Sequence, residues 1–83
     1  MRDEIDTKDL MILKRFHQGN NVSIRELMDL VLIRSTATMR YRLDKLEELG
    51  LLVPPPTKGM HRSRKISEKG IEVLRQQRLI NAK

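Results

Sequence analysis

The chain of 83 residues contains no cysteine and no tryptophan, and its only aromatic side chains are Phe16 and Tyr41. Without cysteine it can form neither a disulfide scaffold nor a cysteine-ligated zinc site, and this composition is typical of a reducing compartment. With so few rings the hydrophobic core must be aliphatic, and single-stranded nucleic acid would find no stacking platform. The length predicts one domain, residues 1–83, near the lower size limit for folding without covalent staples.

Long apolar runs and catalytic motifs are also absent. The longest apolar run, residues 30–33, is far shorter than the roughly 18 residues of a membrane span, and residues 1–4 precede no apolar signal core. His17 and His61 have no partners at metal-ligand spacing, and the chain has no glycine-rich phosphate loop, paired catalytic carboxylates or Ser/His/Asp set. We therefore expect no metal, no cofactor, no membrane contact and no enzymatic activity.

The net charge of +6 is concentrated in one segment of the chain. Residues 1–20 carry four basic and four acidic side chains, residues 21–50 carry five and five, and residues 51–83 carry eight and two. Residues 57–66 hold four fixed cations and no acid. Such a surplus is typical of a surface that binds a polyanion, although a basic tail that only improves solubility would give the same count.

Two capping patterns predict the first two helices. Asp6 followed by Asp9 marks the start of a helix over about residues 7–18. Ser23 and Glu26 form a capping-box pattern, so a second helix begins at Ser23. The apolar run that follows this helix predicts a turn buried between two helices.

Ser35 is the predicted cap of a third helix over about residues 35–49, with Met39, Leu43 and Leu46 on its apolar face. The residues that point away from this face or lie at its edges are Thr36, Ala37, Thr38, Arg40, Tyr41 and Asp44. A rod about 22 Å long with one exposed polar side fits the major groove of duplex DNA. The second and third helices therefore have a helix-turn-helix layout.

A short hairpin and a fourth helix complete the prediction. Residues 51–53 are typical of a strand that three prolines terminate, and residues 63–66 of a second strand. Ser67 caps a fourth helix, over about residues 67–80.

A resemblance to the winged helix-turn-helix of bacterial repressors is carried by residues 23–27, 33–39 and 50–52, with Leu43 and Leu46. Their spacing is similar to that of the DNA-binding domain of LexA-type repressors. The later stretch, residues 62–74, resembles the wing strand and following helix of MarR-type regulators.

The resemblance implies a fold that is mainly α with a small β-hairpin. It places a helix-turn-helix over about residues 23–49, a wing over about 51–66 and a C-terminal helix after it. Because neither the LexA-type protease domain nor the long terminal helices of MarR-type proteins is recognised, we expect any dimer to use helix 1, helix 4 or the termini.

The resemblance also implies where DNA would bind. The major-groove positions are Ser35, Thr36, Ala37, Thr38, Arg40 and Tyr41, and Arg34 is a further DNA-binding candidate. The positions on the flanking backbone or minor groove are Lys58, His61, Arg62 and Arg64. Arg42 flanks the apolar stripe, and we expect it to pair with an acid such as Glu26 or Glu47.

Together these features predict a sequence-specific regulator of transcription that binds double-stranded DNA. We expect a repressor that acts as a homodimer on the nucleoid, in the cytoplasm. One alternative is a protein-interaction module that docks on the transcription machinery through residues 30–33 and the proline-rich wing. Another is an architectural protein that coats DNA without sequence preference.

Overall fold

A computed structural model describes residues 5–19, 22–54 and 64–81, with side chains described as far as residue 77. Its elements are α1 (Thr7–Gln18), α2 (Ile24–Val31), α3 (Thr36–Glu48), β1 (Leu52–Val53), β2 (Lys65–Ile66) and α4 (Glu68–Asn81). The strands pair antiparallel, with Leu52 opposite Ile66. The predicted fold is confirmed: the molecule is mainly helical, with a small hairpin, in a winged helix-turn-helix arrangement.

The first three helices begin at the caps that the sequence predicts. The Asp6 carboxylate accepts a hydrogen bond from the Asp9 amide at 2.9 Å, and the Asp6 amide donates to the Asp9 carboxylate at 3.3 Å. Ser23 Oγ accepts from the Glu26 amide at 3.1 Å, which satisfies one of the free donors at the start of α2. Ser35 Oγ caps α3 in the same way.

The core is aliphatic apart from one ring. Phe16 is 3% exposed, and it belongs to a buried cluster to which each of the first three helices contributes. The other members are Ile12, Leu13, Val22, Leu27, Val31, Met39, Leu43, Leu46, Leu51 and Leu52. Burial of these side chains fixes the three helices against one another and leaves the opposite face of each helix in solvent.

The turn between α2 and α3 differs from the prediction. Val31 is buried, but Leu30 is 39% exposed and Leu32 is 84% exposed, so the expectation of a buried turn is wrong. Leu32 caps the end of α2 with φ 58° and ψ 43°, a left-handed conformation that favours glycine. This conformation turns the Leu32 side chain outward, and the chain continues directly into the Ser35 cap.

The last helix is anchored to the end of α3 and the start of the hairpin. Ser67 Oγ donates to the Gly50 carbonyl at 2.5 Å and accepts from the Gly70 amide at 3.0 Å. A β-carbon on Gly70 would lie 2.5 Å from the Leu51 carbonyl oxygen and 2.8 Å from Ile66 Cγ1. Glycine at this position therefore lets α4 pack closely against the base of the wing.

The helices that the structure describes include none long and apolar enough to cross a membrane.

Candidate nucleic-acid interface

The sequence-predicted groove positions share the solvent-exposed side of α3. Met39, Leu43 and Leu46 are at most 1% exposed and fix the opposite side in the core. The 13 residues of the helix form a rod about 20 Å long. The structure brings the predicted positions together at the start of α3, where all of them are exposed to solvent: Arg34, Ser35, Thr36, Ala37, Thr38, Arg40 and Tyr41.

The charge of α3 changes along its length. Its N-terminal half, with the cap, spans residues 35–41 and contains one cation and no acid. Its C-terminal half carries the acids Asp44, Glu47 and Glu48. Since the free amides at a helix N-terminus also attract anions, a phosphate backbone is favoured at the first half of α3 and repelled by the second.

Among the described residues, Arg40 forms no ion pair within the protein and its side chain is exposed. Tyr41 is 51% exposed, so its ring lies on the surface rather than inside the core. The Thr36 hydroxyl is directed back towards α2, where its Oγ1 lies 3.9 Å from Met28 Sδ. The guanidinium of Arg40 is thus available to a ligand on this face, whereas Thr36 already has a weak contact.

Arg42 pairs with an acid, as expected, but its partners are Asp6 and Asp9 rather than Glu26 or Glu47. Its guanidinium donates to Asp6 at 2.8 Å and to Asp9 at 2.9 Å. Lys45 reaches the second oxygen of Asp9 at 2.5 Å, and the Asp9 side chain is 0% exposed. We call Asp6, Asp9, Arg42 and Lys45 the α1–α3 clamp, because they join the start of α1 to the middle of α3.

The clamp changes the protonation equilibria of two of its members. Desolvation alone would raise the pKa of Asp6, but the Asp9 amide and the Arg42 guanidinium stabilise the carboxylate and lower its pKa below the ordinary value. Desolvation likewise opposes the charged form of Arg42, yet the carboxylates of Asp6 and Asp9 raise the pKa of its guanidinium. Both groups are therefore held in their charged forms.

Of the predicted wing positions, the structure describes Arg64, while Lys58, His61 and Arg62 lie outside the described residues. Residues 57–66 contain no acid, but in the fold Arg64 lies beside one, because its guanidinium bonds the Glu47 carboxylate. Both side chains are at most 20% exposed. Arg64 therefore joins the base of the wing to the end of α3.

Sequence reasoning missed the clamp, although part of its signal was present. Asp9 was recognised as a capping residue, and Arg42 and Lys45 stand three residues apart beside the apolar stripe of α3. Two cations on one edge of a buried stripe indicate that an acid lies opposite them.

The described part of the chain contains no group of three or more His, Cys, Asp or Glu side chains that could hold a metal ion.

Comparison with known proteins identifies a related protein. The chain is 36% identical over 74 residues to the LexA repressor of Oenococcus oeni. The chain is similar to a LexA repressor. The similarity includes 83% of this chain but only 34% of the relative, so the chain spans about a third of that protein's length.

The similarity to a LexA repressor confirms the LexA-type part of the predicted resemblance, and the MarR-type part stays a prediction. No protein-family model and no solved structure matches the chain significantly.

Proposed function

We propose that this chain binds double-stranded DNA in a sequence-specific way and represses transcription. The observation that carries the proposal is the exposed, acid-free N-terminal half of α3 in a helix-turn-helix arrangement. The name of the similar protein, a LexA repressor, supports the same function.

In the proposed complex, α3 enters the major groove by its N-terminal half. Arg40 donates two hydrogen bonds to the edge of a guanine, and the hydroxyls of Ser35 and Thr38 contact bases or phosphates. Arg34 and Tyr41 contact the DNA at the margins of this surface, and Ala37 allows the helix backbone a close approach.

The wing has a positioning role in this proposal. Lys58, His61 and Arg62 contact phosphates of the flanking backbone or minor groove, which adds affinity without sequence information. Arg64 acts indirectly, because its bond to Glu47 holds the residue before β2 against the end of α3.

Repression follows from occupancy of the DNA. A single module of this type buries about 600–1,000 Å² of protein surface, which gives limited affinity, so we propose that two copies bind a pseudo-palindromic site on the nucleoid. RNA polymerase is then excluded from a promoter that overlaps the site.

The proposal is tested by selection from a random pool of duplex DNA at near-physiological salt, followed by sequencing of the bound fraction. We expect an enriched inverted repeat whose half-sites are about one helical turn apart. Enrichment of a single short motif would show that the chain binds as a monomer. Binding without enrichment would show an architectural protein. No retention of DNA at low salt would refute DNA binding.

A second candidate function is docking on a protein of the transcription machinery. The observation that favours it is the exposure of two leucines near the turn before α3, Leu30 at the end of α2 and Leu32 in the turn itself. The two functions differ in salt dependence, because DNA binding through Z phosphates falls with a log–log slope near −0.9Z, whereas an apolar contact changes little with salt.

A further inference from the structure

The second surface of interest is a groove between α1 and α4, with a volume of about 610 Å³. Its apolar lining consists of Leu10 and Met11 from α1 and of Ile71 and Leu74 from α4. Met11 is 37% exposed, although it lies in the middle of a helix. No residue of α3 lines this groove, so it is separate from the candidate nucleic-acid interface.

The lining residues follow the helix repeat over a considerable length. On α1 they run from Thr7 to His17 with steps of three and four residues, which is a continuous stripe about 15 Å long. On α4 the stripe continues from Ile71 to Gln77. The described lining combines four apolar side chains, Leu10, Met11, Ile71 and Leu74, with polar and cationic ones. A groove of this length and composition matches one face of a third, amphipathic helix, whose apolar side chains would lie between α1 and α4.

The charge of the groove indicates the chemistry of the occupant. The titratable side chains among its described lining residues are Lys14, His17 and Arg75, and none of them is an acid. Arg75 also bonds Glu72 at 3.3 Å, an exposed pair that leaves most of the guanidinium accessible. A second copy bound symmetrically would bring Lys14 and Arg75 of both copies together, and this repulsion disfavours self-association through the groove.

We infer that the α1–α4 groove binds a short amphipathic helix of another protein, with an apolar stripe on one side and acidic residues on its flanks. The apolar stripe fills the space between Leu10, Met11 and Leu74, and the acidic flanks face Lys14 and Arg75. Because the groove and α3 share no residue, a partner bound in the groove and DNA bound at α3 can occupy the chain at the same time.

The test uses a fluorescein-labelled synthetic helix of about 14 residues, with leucines at i, i+3, i+4 and i+7 and glutamates at the flanking positions. Binding is measured by fluorescence anisotropy on the full chain. The control peptide has the same composition in scrambled order. We expect saturable binding of the patterned peptide and at least about tenfold weaker binding of the scrambled one.

Met11→Asp and Val53→Asp form a pair of variants, because both replace a partly exposed apolar side chain, at 37% and 47%, and Val53 does not line the groove. Met11→Asp is expected to weaken peptide binding about tenfold or more, and Val53→Asp to leave it unchanged. Equal effects of the two changes, or equal binding of the scrambled peptide, would overturn the inference.

Lys14→Glu provides a second variant on the exposed rim, for the case that Met11→Asp lowers stability. We expect weaker binding of the acidic peptide and recovery with a peptide whose flanking glutamates are replaced by lysine. Failure of this exchange would show that the rim charge does not select the partner. A dimer in sedimentation equilibrium that Met11→Asp dissociates would identify a second copy as the occupant and would also overturn the inference.

Discussion

At the scale of single residues, Arg40 is the side chain that we propose recognises a base. Arg40→Ala should lower affinity for the preferred duplex by about 1–3 kcal/mol and relax the preference at one base pair. Lys69→Ala, at an exposed position of α4, removes the same charge and serves as the control. Quantitative binding to a panel of single-base variants of the selected site measures both. If the two variants lose equal affinity on every duplex, Arg40 does not recognise a base.

Asp9 has the largest predicted effect on folding, because it is fully buried between two cations. Asp9→Ala removes the carboxylate that contacts Lys45 and one of the two that contact Arg42, and it should lower the free energy of unfolding by about 3 kcal/mol. Asp44 is an exposed acid on α3, and Asp44→Ala should change this free energy by about 0.5 kcal/mol or less. Urea denaturation compares the two, and similar losses would show that the clamp is not a stabilising element.

Residues whose roles are local could be predicted from the sequence, and residues paired across the fold could not. Ser23 and Ser35 cap amides three positions ahead, a geometry that depends only on neighbouring residues. Arg42 was placed on the correct helix, and Arg64 lies one residue before the observed β2, but their partners are 36 and 17 positions away. Several acids satisfy the same charge rule, and only the packing of the helices selects among them.

At the scale of elements, the turn before α3 carries backbone strain. Leu32 adopts a positive φ with a side chain that is 84% exposed, so Leu32→Gly removes the strain and loses little burial. We expect Leu32→Gly to raise the free energy of unfolding by up to about 1 kcal/mol, as measured by thermal unfolding.

The neighbouring variant Leu30→Gly should have the opposite sign. Leu30 lies inside α2, where glycine costs about 1 kcal/mol in helix propensity. Two variants with the same residue change, two positions apart, thus separate the strain from any general effect of glycine. A loss of stability in both would contradict the proposed strain at Leu32.

The elements themselves were largely predictable. Each of the first three helices begins at a capping side chain, and Gly50 and the prolines bracket the first strand, so local signals determine most boundaries. The turn was mispredicted because an apolar run indicates burial on average, whereas a left-handed cap at Leu32 reverses the direction of one side chain. That reversal depends on how α2 and α3 pack, and the pattern of residues does not predict it.

At the scale of the whole molecule, the clamp links stability to pH. The pKa of Asp6 is lowered in the folded protein, so its contribution is complete above the unfolded value of about 3.9 and disappears as the pH falls through the lower folded value. Asp6→Asn retains a good capping side chain but removes the charge.

We therefore expect the melting temperature of Asp6→Asn to lie below that of the unmodified chain at pH 6, and the difference to shrink below about pH 4. Thermal unfolding followed by circular dichroism, at pH 6 and below about pH 4, measures this difference in melting temperature. A difference that stays constant with pH would show that the charge of Asp6 does not contribute.

The central claim, that the start of α3 is the DNA surface, is tested most directly by NMR. Labelled protein is titrated with a short duplex at low salt, and amide shifts are followed for every residue, which requires no knowledge of the preferred sequence. We expect the largest shifts on residues 34–41 and no shift at the lining of the α1–α4 groove, which includes Met11 and Leu74. Largest shifts in the groove, with residues 34–41 unchanged, would contradict this claim.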